Sequence, residues 1–532
     1  MAHFSKALKG AAAAAALLVP LMGTALVSEA SAESVLRAKV HADLKNTDPI
    51  WTTAYITRNH GYMVYDTLFA LDADFNVQPQ MAESHSVSDD GLVHTITLRD
   101  GLKWHDGAPV TAEDCVASIA RWGKRDGMGQ QLMAKVTEMT AVYDKTLTIT
   151  LSEPWGLVLQ ALGKMSSNVP FMMPKRLAET DAFEQVPGSI GSGPFKFVKE
   201  EWVPGAKAVY VKNEDYVPRS EPASAAAGGK VVHFDRVEWV YIPDDNTAVN
   251  ALVSGEIDYL ENPQLDLVPV LQAAQGVKVE VIDPAGSQGW VRMNHLHPPF
   301  DNVKARQAMQ LIVDQETYLR AVAGAPEYYK VCPTLFVCDS PYANTAGSER
   351  IMSQDMEKAK AMLKEAGYNG EPVILMHPTD IGALSRATQV TAQLMREAGI
   401  NVEMQSMDWS TLTSRRAEKK PATEGGWNIF HTSWIGPDLL NPVANIGVSG
   451  GCEEKAWFGW PCDEKIEQMR QEFASETDLG KQQKIAEDIQ ARANEIVTYI
   501  PIGQYQQPIA YRDSLSGVIQ APVHLFWNIK KN

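Results

Sequence analysis

The sequence predicts a mixed α/β protein divided into at least two folded units, and three observations predict it. At 532 residues the chain exceeds what one hydrophobic core ordinarily organises. Strand-like and helix-like apolar patterns alternate through its second half, as βαβ units require. The composition, 45% hydrophobic and 21% charged, leaves enough apolar side chains to fill a core in each unit. No low-complexity run occurs beyond the N-terminus and a short Ala/Gly patch at 223–229, and no fixed-period repeat is present.

The first 32 residues read as a secretory signal rather than as part of the fold. His3, Lys6 and Lys9 form a basic start, Gly10 to Met22 a short apolar stretch, and Ala30-Ser31-Ala32 a small-residue cleavage site. The apolar stretch is shorter than the roughly 20 residues a membrane span needs. No cysteine follows the cleavage site to accept a lipid. A soluble periplasmic product, cleaved after Ala32, is expected.

Residues 33–110 read as strands and turns. Ser34 to Val40 and Val93 to Leu98 alternate, with Asp89-Asp90-Gly91 and Asp100-Gly101 as turns. Thr111 caps a helix to about Trp122, because its hydroxyl accepts a free N–H and Glu113 and Asp114 suit the positive helix end. Tyr143 to Leu151 alternates again. Strands near 207–211 and 231–242 bracket the Ala/Gly patch, read as a surface loop. Asn246 to Ser254 is helical and stops at Gly255, ahead of a strand at Glu256 to Tyr259 and another at Gly289 to Asn294. Helical spacing covers Lys304 to Ala323 and Gln354 to Ala366. Val373 to Met376, Thr388 to Ala398 and Asn401 to Gln405 then give strand, helix, strand, which predicts a largely parallel sheet. One long helix is expected from about 463 to 497, ahead of terminal strands.

Five cysteines follow the signal. Cys332 and Cys338 flank one short loop, Cys452 and Cys462 another, so both pairs read as local disulfides, permissible in an oxidising compartment. Cys115 is left as a buried thiol. No CxxC or zinc-spaced His pair accompanies them, and no metal or other cofactor is expected. The net charge of −17, with no basic stripe, argues against nucleic acid or an anionic membrane as partner.

Several blocks together carry a family resemblance. They are Ala82-Glu83-Ser84 with Val87 to Gly91, Leu98 to Gly107 including Trp104-His105-Asp106, Thr111 to Asp114, Gly191-Ser192-Gly193-Pro194-Phe195, Gly255 to Asp258, Pro299 to Ala308, and the helix end Ala359 to Gly367. In this order they resemble the peptide-type family 5 of extracellular solute-binding proteins, whose members include dipeptide, oligopeptide and nickel receptors. The resemblance implies a two-lobed periplasmic-binding-protein fold, type II and cluster C-like, with an extra subdomain in lobe I. Mapped here, lobe I covers 33–288 with the insertion at about 80–200. Lobe II covers 289–500, and 501–532 return to lobe I. It implies a monomeric receptor of an ABC importer that closes on its ligand by a hinge and passes it to an inner-membrane permease.

The same resemblance marks candidate ligand residues. In Trp427 to Asp438 an alternating strand ends at Trp434, and a loop then offers one acid, Asp438. Peptide receptors of the family place an acid near here to meet the ligand ammonium, although Asp438 lies one residue further from the Trp, with Pro437 between. Asp438 either pairs with a ligand amine or caps the next turn. Trp434 either stacks on ligand or fills core. Thr53 and Tyr55 occupy the family's first cleft loop, and Trp409 matches an aromatic of the pocket or packs inside. Where a dipeptide receptor carries an Arg that forks onto the ligand carboxylate, this chain has His377, which offers no fork. The reading is a receptor for a peptide-like, amine-bearing solute. A nickel, metal-chelate or haem receptor of the same fold is the alternative, with His295 and His297 as a weak chelating pair. A secreted hydrolase stands furthest back. Gly447-Val448-Ser449-Gly450-Gly451 matches GxSxG but lacks the flanking strand and helix of a nucleophile elbow, and reads as a flexible glycine loop.

Overall fold

Two sheets organise the chain in the computed structural model, which describes residues 33–476 and 478–532. The signal segment and its cleavage site lie outside the described residues. The first sheet has seven strands, in the order Phe195–Phe197, Lys207–Lys212, Arg236–Val240, Val35–Lys39, Tyr259–Leu260, Ile509–Arg512 and Val277–Glu280. Val35–Lys39 pairs in parallel with both neighbours, and the outer strands are antiparallel. The second sheet has six, in the order Tyr329–Lys330, Ile500–Tyr505, Ser287–Met293, Ile429–Ile435, Val373–Pro378 and Val402–Met407. The chain passes from the first sheet to the second through 281–286 and back through 506–508. Each sheet thereby gains strands from distant parts of the sequence.

A third, four-stranded antiparallel sheet stands within the first part of the chain, built from Ala82–Val87, Val93–Leu98, Thr146–Leu151 and Val136–Tyr143. Its two inner strands show the alternation the sequence predicts: Ile96, Leu98, Leu147, Ile149 and Leu151 are buried while their neighbours are not. The helix Ala112–Trp122 covers it. Thr111 caps that helix reciprocally, accepting from Asp114 N while the Asp114 carboxylate accepts from Thr111 N at 2.8 Å. Cys115, Ile119 and Trp122 recur at helical spacing and are all fully buried. Gly191 and Gly193 have a steric reason. A Cβ at Gly191 would lie 2.0 Å from the Val64 carbonyl oxygen, so only glycine lets this loop cross the end of the helix Tyr55–Val64.

The second sheet is mixed rather than largely parallel: of its five pairings only those of Val373–Pro378 with Val402–Met407 and with Ile429–Ile435 are parallel. The βαβ pattern was legible, but the antiparallel partners Ser287–Met293 and Ile500–Tyr505 arrive from outside it. Because Ile500–Tyr505 belongs to this sheet, the chain leaves it after 505, not at 501.

Three more expectations are corrected. The long helix at 463–497 is two, Glu464–Ser475 and Leu479–Ile496, the second capped by Asp478. Lys304 to Ala323 likewise divides into Val303–Ile312 and Gln315–Ala323, with Asp314 capping the latter. The Ala/Gly patch is no surface loop: Ala225, Ala226 and Ala227 are buried, and Lys230 beside them reaches Asp66 at 2.7 Å with both side chains fully enclosed. Small side chains there permit close packing. The structure joins Cys332 to Cys338 and Cys452 to Cys462, and Cys115 is a buried free thiol. Among the described residues no helix is long and apolar enough to cross a membrane.

Candidate functional site

A cavity of about 1340 Å³, including the part open to solvent, lies between the two sheets. One wall comes from the segment 39–58 with Asp245 and His524. The other comes from Thr432 to Ile435 at the end of a strand of the second sheet, from Asp380 to Arg386, and from Trp409 and Arg416. The crossing segment contributes Ile282, Asp283 and Gly286.

Of the residues singled out in the sequence, Thr53, Tyr55, Trp409 and Trp434 line this cavity together. Trp434 stacks on Trp290 at 5.2 Å and meets the Tyr55 ring edge-on at 6.2 Å, with its indole N–H buried and without a partner among the described residues. Trp409 opens the helix Trp409–Arg415 and donates its backbone N–H to Asp380 at 2.7 Å.

Asp438 is one layer behind the wall. Its Oδ2 accepts from Tyr55 Oη at 2.5 Å and from Ser166 Oγ at 2.9 Å, while Tyr55 Oη accepts from Ile435 N at 2.9 Å. Arg58 donates to Ser166 Oγ at 2.7 Å and lies 4.0 Å over the Tyr55 ring. Burial pushes the Asp438 carboxyl above its ordinary value, against the hydrogen bond of Tyr55 and the charges of Lys164 and Arg58. Asp438 therefore ties the turn after the second sheet's strand to the helix and loop of the opposite wall. Three further bonds cross in the same sense: Tyr241 Oη to Asp380 at 2.9 Å, Ser410 Oγ to the Asp43 carbonyl at 3.0 Å, and Lys45 to Asp408 at 2.6 Å. These polar contacts bridge the two walls of the cavity.

His377 does not reach the cavity. It ends the strand Val373–Pro378 with Nδ1 at 3.0 Å from Ser406 Oγ and Nε2 at 2.7 Å from Ser385 Oγ, held between the neighbouring strand and helix. His295 and His297 do not act together either, since His297 faces the Lys419 carbonyl and His295 is buried. Ser449 bonds to Glu467 in a buried turn, not a flexible loop, and sits on no strand-to-helix elbow. Among the described residues no group of three His, Cys, Asp or Glu side chains is placed to hold a metal.

The wall carries charges the sequence reading missed. Of its acids, Asp245 lies 3.6 Å from Lys39 and Asp380 is bonded to Tyr241 and Trp409. Among the described residues Asp283 is hydrogen-bonded by the backbone N–H groups of Ala285 and Gly286 and feels the Arg58 charge, and burial raises its carboxyl to about 6. Arg416 follows Trp409 by seven positions, which places both on one face of a helical segment, a spacing that could have exposed it. Asp283 lies in a crossing segment that shows no periodicity.

Buried histidines predict how the molecule responds to acid. Burial lowers His60 and His431 to about 3 and His524, on the cavity wall, to about 4. A depressed pKa means the neutral ring is folded with full stability above about 6.5, and that stability is lost as pH falls toward the folded value. Urea unfolding should show a loss on the order of 1–2 kcal/mol per histidine by pH 5, reduced in His60→Gln. The acids Asp283, Asp380 and Asp438, whose carboxyls burial raises, act in the opposite sense, so the loss is read per histidine from the difference between wild type and His60→Gln.

The family model for bacterial extracellular solute-binding proteins, family 5, matches residues 76–456. A Sinorhizobium fredii protein named "Probable peptide ABC transporter periplasmic-binding protein y4tO" is 40% identical over 525 residues, 98% of each chain. Two solved structures share the fold at lower identity. The oligopeptide-binding protein AppA of Bacillus subtilis, solved with a nonapeptide, has a TM-score of 0.78 at 20% identity, covering 94% of this chain and 99% of that one. The DppA periplasmic binding protein of Helicobacter pylori, solved with the peptide STSA, has a TM-score of 0.77 at 20% identity over 94% and 98%. With its two sheets joined by two crossings and a cavity between them, the chain belongs to family 5 of the bacterial extracellular solute-binding proteins, a two-lobed family of binding proteins rather than enzymes.

Proposed function

We propose that this protein is the periplasmic receptor of an ABC importer, that its ligand is a small peptide or peptide-like solute with a free amine, and that the closed receptor delivers it to an inner-membrane permease. The observation that carries the ligand class is Asp283, an acid on the cavity wall to which, among the described residues, no side chain hydrogen-bonds. A carboxylate kept partly from water gains most from a cation brought by the ligand. The S. fredii relative named for peptide transport and the peptide-bound neighbours agree with this class. Asp438, with its two hydroxyl donors already engaged, serves the closure rather than the amine. Hinge closure then assembles the Tyr55, Ser166 and Asp438 contacts only when the walls meet around the ligand.

The test compares a mixed peptide library with the same library N-acetylated. Free-amine peptides should bind at least tenfold more tightly, and Asp283→Asn should erase most of that difference. Equal binding of both libraries would remove the amine from the account.

A further inference from the structure

What a buried guanidinium's donors reach separates a structural arginine from a ligand-binding one. Arg292 is fully buried without an acid, but it donates to the carbonyls of Phe458, Gly447, Thr498 and Trp457, and it does not line the cavity. Arg58 is bonded to Asn59 and Ser166 beside Asp438. Arg416 is different. It lines the cavity at 2% exposure, and among the described residues its only hydrogen bond from the guanidinium is Nη2 to Thr53 Oγ1 at 3.0 Å. Its Nε is buried without a partner, and no acid pairs with it among the described residues.

The rings of Trp409, Trp457 and Phe458 enclose the guanidinium at 5.7, 5.1 and 4.9 Å. They stabilise a cation and exclude water, but they offer no acceptor in the plane of its donors. A desolvated charge in that state costs several kcal/mol until an anion arrives. Burial accordingly lowers its pKa to about 9, which leaves it charged at neutral pH.

We propose that the ligand carries a carboxylate and that Arg416 holds it, with the Thr53 hydroxyl as a second donor. A carboxylate matches the planar fork, and Thr53, which already accepts from Arg416, keeps its own proton free to donate. The inference rests on the peptide-like reading above and deepens it: an ammonium at Asp283 and a carboxylate at Arg416 describe a zwitterion. It also explains how His377, buried between two serines, can stand where a forked arginine would otherwise be needed.

The carboxylate has two sources in a peptide, the C-terminus and an acidic side chain. A mixed library of short peptides, prepared as free acids and as C-terminal amides, is dialysed to equilibrium against the purified protein and the retained species are read by mass spectrometry. Free acids retained at least tenfold above their amides, with the preference lost in Arg416→Met and reduced in Arg416→Lys, support the proposal. Retention of only those amides that contain Asp or Glu supports it with the side chain as source. Equal retention of acids and amides regardless of Asp or Glu content overturns it and leaves the peptide reading standing, whereas retention of neither library removes both. A melting curve without ligand separates positioning from packing. Arg416→Met should melt at or above the wild type, because it removes an uncompensated buried charge, and a marked fall would assign Arg416 to the core and overturn the proposal.

Discussion

Replacing Asp438 by alanine will lower ligand affinity by about 100-fold or more. The substitution leaves the hydroxyls of half-buried Tyr55 and buried Ser166 without their shared acceptor and removes the Asp438 charge that favours the buried Arg58 cation. Removing one member of a buried charged network costs about 3–5 kcal/mol, and 1.4 kcal/mol is tenfold in affinity. Under the proposed hinge closure the cost falls on the form in which the two walls meet, so the fold of each wall should be retained. Titration calorimetry with any bound peptide measures the loss, and small-angle scattering should show a variant that stays extended at ligand concentrations that close the wild type. Because Asp438 acts on closure, free-amine and N-acetylated peptides should weaken by the same factor. A loss confined to free-amine peptides would instead put the ammonium on Asp438 itself.

Lys230→Met will destabilise the fold by about 3–5 kcal/mol without touching the cavity. Lys230 and Asp66 are both fully enclosed at 2.7 Å, and Tyr216 Oη also donates to Asp66, at 2.8 Å. The ammonium lies 4.9 Å from the Trp527 ring, so the pair connects the start of the chain, the Ala/Gly segment and the C-terminal segment. Stripping the cation leaves a buried carboxylate with too few donors. The urea midpoint should fall with little change in slope, while the affinity of the surviving folded protein stays within a few-fold of wild type. Asp66→Asn combined with Lys230→Met should recover part of the loss, since neither charge is then stranded.

Much of this architecture was legible because local chemistry and tertiary role coincide. Thr111 and Asp114 predict a cap and make one, and the alternation of Val93–Leu98 and Thr146–Leu151 faces the core as its period requires. Gly255 ends its helix in the left-handed region with φ of 81°. What sequence reading missed involves partners distant along the chain. Nothing local to Ile500–Tyr505 says that it pairs with Ser287–Met293, and nothing in an Ala/Gly run says whether it is packed or exposed. The breaks before Asp314 and Asp478 were readable as caps, yet continuous apolar spacing outweighed them.

The site divides in the same way. Aromatic residues and the Asp438 loop were found because the family resemblance marks them, and Thr53, Tyr55, Trp409 and Trp434 meet on one cavity. The resemblance could not show that Asp438 would be taken up by Tyr55 and Ser166, 383 and 272 positions away, or that His377 would be held by two serines. Asp283 and Arg416 became visible only as charges whose surroundings leave them unmatched.

That the interlobe cavity takes a peptide-like solute can be checked by calorimetric titration of the purified protein with a mixed peptide library in the presence of a chelator. Binding should saturate at one ligand per chain, be unchanged by the chelator, and weaken about 100-fold in Asp438→Ala. Absence of peptide binding, or binding that appears only when the chelator is replaced by a transition-metal salt, would contradict it.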